Sequence, residues 1–522
     1  MIRVNRRDFL RTGGALAVAV RAGMGAAQGR VWSHNWDKYD FGSGPAVSDR
    51  LNQGPFSQYP PDASIPSDNV VMTTTPSGDV VPNFGKGLVV YISADMGTAE
   101  IQSDNIPQAI EDLAKLPLGQ KLYIRPTWRE IQQRPGRLDF PDYWKQTFEL
   151  AKRLDKRVGF RIQMSAPDYP DPALPDFVLE KVPMVKLAGE WKRDPKRFAA
   201  KENNEQPRYD HPYFQSAFKD LVGLLAAEFN GSPLIEFIDT FMYGHWGEGH
   251  TWPFTGTPFP DYETAERTWM QMLEVQLESF VKVPLVTNTQ PDYSGVGNSA
   301  MLDRTVRSNN WMRSDTIFIE NEQIEALSNR PPWIAVAIEQ GLPSGLSPLP
   351  EHEGVTEADD IIAHVMDVGA NYWSLWNFHN INAQHILKYY QQSPQSFDTI
   401  NRRIGYRIRP SMIWSYEDEG YLGLIIGFAN DGIAGIPGVL RVTISSIDGS
   451  AKASGCLDPG YPLPGKIRQA QFILPKGTKW EGLKLSAELE VKGTRYPVTW
   501  ACRQRTEPDG SLILRPNGRH AS

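Results

Sequence analysis

The chain has 522 residues, more than one ordinary domain needs and enough to bury a large core. It is 40% apolar and 22% charged, and no apolar run is long enough for a mature transmembrane span, so stable membrane insertion is not expected. The formal charge of −7 disfavours a nucleic-acid partner.

At the N-terminus, Asn5-Arg6-Arg7-Asp8-Phe9-Leu10 precedes a weakly apolar stretch from Gly13 to Ala27. Paired arginines, then Phe-Leu, then a modest apolar region resemble a twin-arginine export signal. That implies residues 1–27 as a signal read by the twin-arginine (Tat) export machinery, and a periplasmic or secreted mature protein. Removing those residues takes off five arginines and one aspartate and moves the formal charge from −7 to −11. Residues 28–82 are rich in Pro, Ser, Asn and Asp, but also carry Trp32, Trp36, Tyr39, Phe41, Phe56 and Tyr59. They read as an extended arm that packs against something rather than as free disorder.

From Leu88 the texture changes. Leu88–Ser93, Lys121–Pro126, Arg157–Met164, Leu234–Tyr243, Val283–Asn288, Trp333–Ile338 and Asn371–Asn377 read as strands. Helical spacing falls between them, at Ile106–Leu116, Tyr143–Leu154 and Tyr213–Phe229. The sixth strand is weakly marked; Thr316–Glu320 fits, and Arg304–Asn309 is the alternative. Strands alternating with helices mean a parallel sheet, and about eight units over roughly 300 residues fit a closed (β/α)₈ barrel across residues 83–404. After residue 405, short runs such as Leu422–Phe428, Leu440–Ser445, Leu483–Val491 and Tyr496–Ala501 read as a C-terminal β-sandwich to residue 522. Cys456 and Cys502 both lie there; a disulfide between two strands and two buried thiols are both compatible with the spacing, and a CxxC metal site is not.

The reactive face of such a barrel is at the C-terminal ends of its strands. In order, those ends offer Asp95; Arg125 with Trp128; Arg161 with Asp168; Tyr243, His245, Trp246 and Glu248; Asn288; Glu339; and Trp373, Trp376 and Asn377. Two carboxylates, arginines, amides and large aromatics on one face suit a polyhydroxylated ligand, so a carbohydrate substrate is expected. Asp239, inside the fourth strand, reads as a barrel-interior partner for an arginine. Arg125 and Arg161 could each be that partner or a substrate ligand.

Several short motifs carry a family likeness: Asn83-Phe84-Gly85-Lys86-Gly87 before the first strand, Gly136-Arg137-Leu138-Asp139-Phe140 after the second, Tyr243-Gly244-His245-Trp246-Gly247-Glu248 after the fourth, and Gly405-Tyr406-Arg407 opening the sandwich. On these the chain resembles the (β/α)₈ glycoside hydrolases of the family-42 β-galactosidase-like superfamily, and bacterial barrel-plus-sandwich proteins of undefined substrate. The resemblance implies Glu248 as acid/base and Glu339 as nucleophile, with retention of configuration. It departs at Gly247, where the related hydrolases usually carry asparagine before the acid/base.

Independently of family, cleavage of a sugar acetal needs an acid to protonate the leaving oxygen and a second carboxylate to stabilise or trap the oxocarbenium-like centre. The acid needs a raised pKa, and Trp246 is an apolar neighbour of the right kind. His245, Glu248 and His250 match neither zinc signature, and Gly247 and Gly249 would spoil the helix those signatures need, so no metal and no cofactor is expected. The reading is an exported glycoside hydrolase. Its rivals are a glycan-binding or exopolysaccharide-assembly protein without catalysis, and a lyase acting on acidic sugars.

Overall fold

The computed structural model describes residues 70–515, apart from 96, 102, 167–168, 170–171, 190–203, 252–253, 290–296, 315–326, 340–355 and 377–380. The export signal, most of the arm, Asp168, Asn377 and the expected strand at Thr316–Glu320 lie outside the described residues.

Eight parallel strands close into a barrel. In order around it they are Gly87–Tyr91, Lys121–Ile124, Arg157–Phe160, Ile235–Asp239, Leu285–Asn288, Trp311–Ser314, Val336–Ile338 and Tyr372–Ser374, the last pairing with the first. Each is buried almost throughout, as strands covered by helices outside and side chains inside must be. The flanking helices are amphipathic and capped. Asn105 accepts from Gln108 N at the start of Ile106–Ala114, which buries Ile110, Leu113 and Ala114. Thr356 and Asp359 form a capping box on Glu357–Val368, and Gly369 ends that helix in the left-handed region.

The sixth strand corrects both sequence expectations. Arg304 belongs to the helix Gly297–Arg307, Asn309 turns the chain at φ 54°, and the strand is Trp311–Ser314. Four residues with an arginine and a serine give too little apolar alternation to stand out, yet both neighbouring strands pair with them.

The barrel interior is layered. At the floor, Glu236 accepts from Lys121 Nζ at 2.8 Å, Tyr372 Oη at 2.7 Å and Gly85 N at 2.8 Å. A bulge between the third and fourth strands accompanies this: Val158 pairs with Ile235 but Gly159 with Phe237, leaving Glu236 unpaired between them. Gly159 is needed because a Cβ there would meet the Phe237 ring at 2.8 Å. Above the floor sit Tyr91, Tyr123, Phe237 and Tyr372, and above these the charged groups of the mouth.

Beyond the barrel the chain builds two antiparallel sheets. One orders Val70–Thr73, Ile408–Asp418, Tyr421–Asn430 and Ile467–Leu474; the other contains Lys452–Cys456, Val439–Ser445, Lys484–Val491 and Thr494–Val498, with Leu512–Ile513 on Lys484–Val491. Alternating burial along Ile467–Leu474 and Lys484–Val491 gives each sheet an apolar inner face, and Phe428 of the first stacks on Trp500 at 5.7 Å. The end of the N-terminal arm is therefore an edge strand of this β-rich part, with Val70 opposite Trp414. Cys456 and Cys502 are thiols not joined in a disulfide, and burial pushes the Cys502 thiol up to about 11. Among the described residues no helix is long and apolar enough to cross a membrane.

Candidate active site

Side chains alternate along a strand, so every second residue points inward. Tyr123 on the second strand and Arg125 just past it, Arg161 just past the third, Asp239 on the fourth, Arg313 on the sixth and Glu339 just past the seventh therefore converge at one end of the barrel. Asp95 joins them from beyond the first strand. Glu248 comes from the loop after the fourth.

That loop is held by its own backbone. Met242 N donates to Gly247 O at 2.9 Å, His245 N to His250 O at 2.8 Å and Gly249 N to Tyr243 O at 2.9 Å. Trp246, at φ 52°, occupies the left-handed region that bulky residues rarely adopt, and its N–H donates to Ser165 O at 2.7 Å. Asn288 Nδ2 donates to the Glu248 carbonyl at 3.2 Å, so the fifth strand fixes the same loop. Strain of this kind persists only where the surroundings over-determine it.

The two glutamates are each only 3% exposed, and arginines link them. Arg125 donates Nη1 to Asp95 Oδ1 at 2.8 Å; its Nη2 hydrogen-bonds Glu339 Oε1 and lies 3.7 Å from Glu248 Oε1. Arg161 pairs with Glu248 Oε1 and reaches Asp239 Oδ2 at 3.7 Å. Arg313 sets Nε 3.2 Å from Asp239 Oδ2 and both terminal nitrogens 3.5 Å from Glu248 Oε1, and it pairs with Glu339 Oε2. Tyr123 Oη donates to Asp239 at 2.5 Å. Glu248 Oε2 faces His250 Nε2 at 3.1 Å. Below the cluster lies a cavity of about 10 Å³, the size of one water, lined by Tyr91, Tyr123, Asp239, Arg313, Glu339 and Ser374.

Electrostatics follow from this packing. Burial pushes the Glu248 carboxyl up, but Arg161, the His250 hydrogen bond, Arg313 and Arg125 together hold it well below the usual carboxylate range. The expectation of a raised pKa at Glu248 is thus reversed in the resting site: its surroundings are guanidinium-rich, and the apolar Trp246 does not dominate. Burial lowers the Arg125 and Arg161 pKa, but nearby tyrosines and carboxylates outweigh it and raise both. Burial also carries the Tyr123 phenol up to about 12.

The other expected site residues divide. Trp376 stacks on Tyr91 at 5.4 Å, and Tyr91 lies under Arg125. His245 stands one layer back. Its Nδ1 is 3.1 Å from Ser165 Oγ, Gln206 donates to that same oxygen at 2.7 Å, and burial lowers the imidazole to about 3 and keeps it neutral. Three aromatics do not join the glutamates. Tyr243 packs against Phe259, Trp269 and Tyr209. Trp128 donates to Gln132 and sits edge-on to Phe177 and Phe214, because it opens a helix and not a strand end. Trp373 meets Phe397, since Tyr372 and Ser374 on either side of it take the inward positions. Sequence reasoning missed Arg313 altogether, and His250 was weighed only as a metal ligand.

No family model matches the sequence, and no curated protein matches it. Solved structures do align, glycoside hydrolases among them. The catalytic domain of a beta-amylase from Paenibacillus polymyxa aligns at TM-score 0.38 and 8% identity, over 58% of this chain and 94% of that one. A cold-adapted beta-galactosidase from Rahnella sp. R3 aligns at 0.38 and 10%, over 65% and 59%. GH5_18 from Streptomyces cattleya, in complex with GlcNAc, aligns at 0.35 and 12%, over 59% and 71%. Likeness of this degree does not set the chemistry of this chain; the groups gathered at the barrel mouth do.

Proposed function

We propose that the protein is an exported glycoside hydrolase that uses Glu339 as nucleophile and Glu248 as acid/base, with retention of configuration, in the manner of the family-42 β-galactosidase-like superfamily. The observation that carries this is the meeting of Glu248 and Glu339 on one nitrogen of Arg125 at the mouth of a barrel. Two carboxylates within ion-pair reach of a single atom favour the short separation, roughly 5 Å, that supports retention over the wider gap of inverting sites. The ionised Glu248 suits the second half-reaction, in which a base takes a proton from water; the first half needs a proton from a neighbour. The paired arginines at the N-terminus support export.

A second reading has its own observation. Glu248 is pinned by three guanidiniums and held ionised, which favours a glycan-binding barrel that cleaves nothing. Incubating the mature protein with a broad panel of α- and β-linked oligosaccharides, and following the anomeric products by NMR, separates the two. Cleavage with retained configuration, abolished in Glu339→Gln, supports hydrolysis. Saturable binding with no product from any glycan supports the second reading and overturns the first.

A further inference from the structure

A second opening lies at the other end of the barrel from Glu248 and Glu339. The turn Lys492-Gly493 joins the strands Lys484–Val491 and Thr494–Val498 and rests against the foot of the barrel. Lys492 Nζ donates to Asn310 Oδ1 at 2.9 Å, and Thr494 Oγ1 donates to the Lys282 carbonyl at 3.2 Å. Asn310 directly precedes the barrel strand Trp311–Ser314, so this seam is at the N-terminal end of the strands, away from the mouth. Between the turn and the barrel is a cavity of about 220 Å³, lined by Leu277, Glu278, Val281, Arg304, Ser308 and Lys492. That is below the roughly 300–1,000 Å³ of sites for drug-sized ligands, and it is room for a single ring.

The lining offers donors, acceptors and an apolar face together. Arg304 is saturated: Nε and Nη2 hold the two oxygens of Glu274, and Nη1 donates to Ser308 Oγ at 2.6 Å. Lys492 differs, since an ammonium has three N–H donors and Asn310 takes one of them. Half-burial brings that amine down to about 8, so a further acceptor on it would offset lost hydration. Glu278 is exposed on the rim and accepts no hydrogen bond among the described residues; Arg304 feels its charge. Val281 is 52% exposed and Leu277 lies buried beside it. Lys492 stands at φ 49° and Gly493 at φ 76°, a two-residue turn whose first position favours asparagine, aspartate or glycine, so lysine is there against backbone preference.

We propose that this seam is a non-catalytic site for one neutral sugar ring, with Lys492 Nζ donating to its hydroxyls, Glu278 accepting from them, and Leu277 and Val281 under its apolar face. A hydroxyl both donates and accepts, so a polyol answers the ammonium and the carboxylate at once. An anion answers the ammonium alone. It would face Glu278 and the negative ends of two helices, Tyr262–Ser279 and Gly297–Arg307, whose last turns supply Leu277, Glu278 and Arg304. The site holds glycan without cutting it, at the junction of barrel and β-rich part where ligand clefts are common. It needs no cleavage at the mouth, so it stands or falls independently of the roles given to Glu248 and Glu339.

Methyl NMR of the full mature protein, labelled at valine and leucine, reads the seam directly, with Val281 assigned from a Val281→Ala variant. The probes are D-glucose, D-galactose, D-mannose and D-xylose, each titrated to its solubility, with acetate and D-glucuronate as anions. The expected result is a saturable shift of the Val281 and Leu277 methyls with at least one neutral sugar. Lys492→Met should weaken that binding by about tenfold, the scale of one lost hydrogen bond, while Glu339→Gln leaves it unchanged. If Lys492→Met fails to fold, Glu278→Gln is expected to show the same loss. No shift of these methyls with any neutral sugar overturns the site, and so does a shift that acetate or glucuronate causes and the neutral sugars do not. Affinity that both Lys492→Met and Glu278→Gln leave unchanged overturns it as well. Because the readout is at the seam, failure to find any cleaved glycan would sink the hydrolase reading and leave the methyl shifts in place.

Discussion

Glu248 and Glu339, ninety-one residues apart in the chain, meet on Nη2 of Arg125, which hydrogen-bonds the second and lies 3.7 Å from the first. A sugar entering between them would exchange its hydroxyls for these guanidinium contacts and release both carboxylates for chemistry. If the proposed roles hold, Glu248→Gln and Glu339→Gln each lower turnover by roughly 10²–10⁴-fold, the range associated with losing an acid/base or a nucleophile. Initial rates on any glycan found to be cleaved, with circular dichroism to verify folding, check this.

Arg313, like Arg125, touches three carboxylates: Asp239, Glu248 and Glu339. Replacing it with leucine leaves three buried carboxylates short of a partner, and breaking a buried pair from one side costs about 3–5 kcal/mol. Because the stranded carboxylates can protonate, the deficit should shrink toward acid. Urea unfolding of Arg313→Leu and the parent at pH 8 and pH 5 is expected to give the larger difference at pH 8.

The fate of that arginine shows what was legible and what was not. Seven barrel strands announce themselves as apolar runs, because a strand covered on both faces has little room for polar residues. The sixth is four residues with a buried arginine at the third, so the side chain that ties the carboxylates together is the one that hides the strand. Glu339 could be placed because an apolar strand leads straight into it, and Asp239 because a carboxylate inside a strand demands a cation. Trp128 and Trp373 misled for a common reason: proximity to a strand end does not say which way a side chain points. One lies in a helix and the other at an outward register position. The cations around Glu248 come from three separate strands, and local sequence carries no trace of their meeting.

The Glu248 environment also sets an acid limit. Its folded pKa lies below the unfolded value of about 4.3, so the stability it contributes is present above that value and is lost as pH falls through the folded one. Unfolding free energies measured between pH 6 and pH 3 should therefore fall more steeply for the parent than for Glu248→Gln, which has no proton to take up there. Equal slopes would mean that the carboxylate is not held ionised.

Gly247 stands where the motif likeness leads one to expect asparagine, and its surroundings favour glycine. It sits at φ 78°, and a Cβ there would meet the Ile162 carbonyl at 3.0 Å and the Arg161 Cδ at 3.6 Å. Gly247→Asn should cost about 1–3 kcal/mol through backbone strain and displacement of Arg161 from Glu248. Chemical denaturation of both proteins, with circular dichroism to verify folding, tests this.

Lys86 supplies the last prediction. It is fully buried between the barrel and the β-rich part, beside Gly405, and its Nζ has no hydrogen-bond partner among the described residues. Burial, then the charges of Arg407 and Lys121, bring its pKa down from 10.5 to about 7. A folded pKa below the unfolded one means that the unfolded chain takes up the proton first. The lysine's contribution is therefore intact above about pH 10.5, falls as pH drops toward 7, and stays at its lowest below that, where the folded protein carries a charge with no partner. Lys86→Met keeps the length of the stem and removes the amine, so it should stabilise by about 3 kcal/mol at pH 6 and by much less at pH 10. Guanidinium melts of both proteins at the two pH values check the sign; a methionine variant less stable than the parent at pH 6 would show that the amine has a partner worth more than its desolvation.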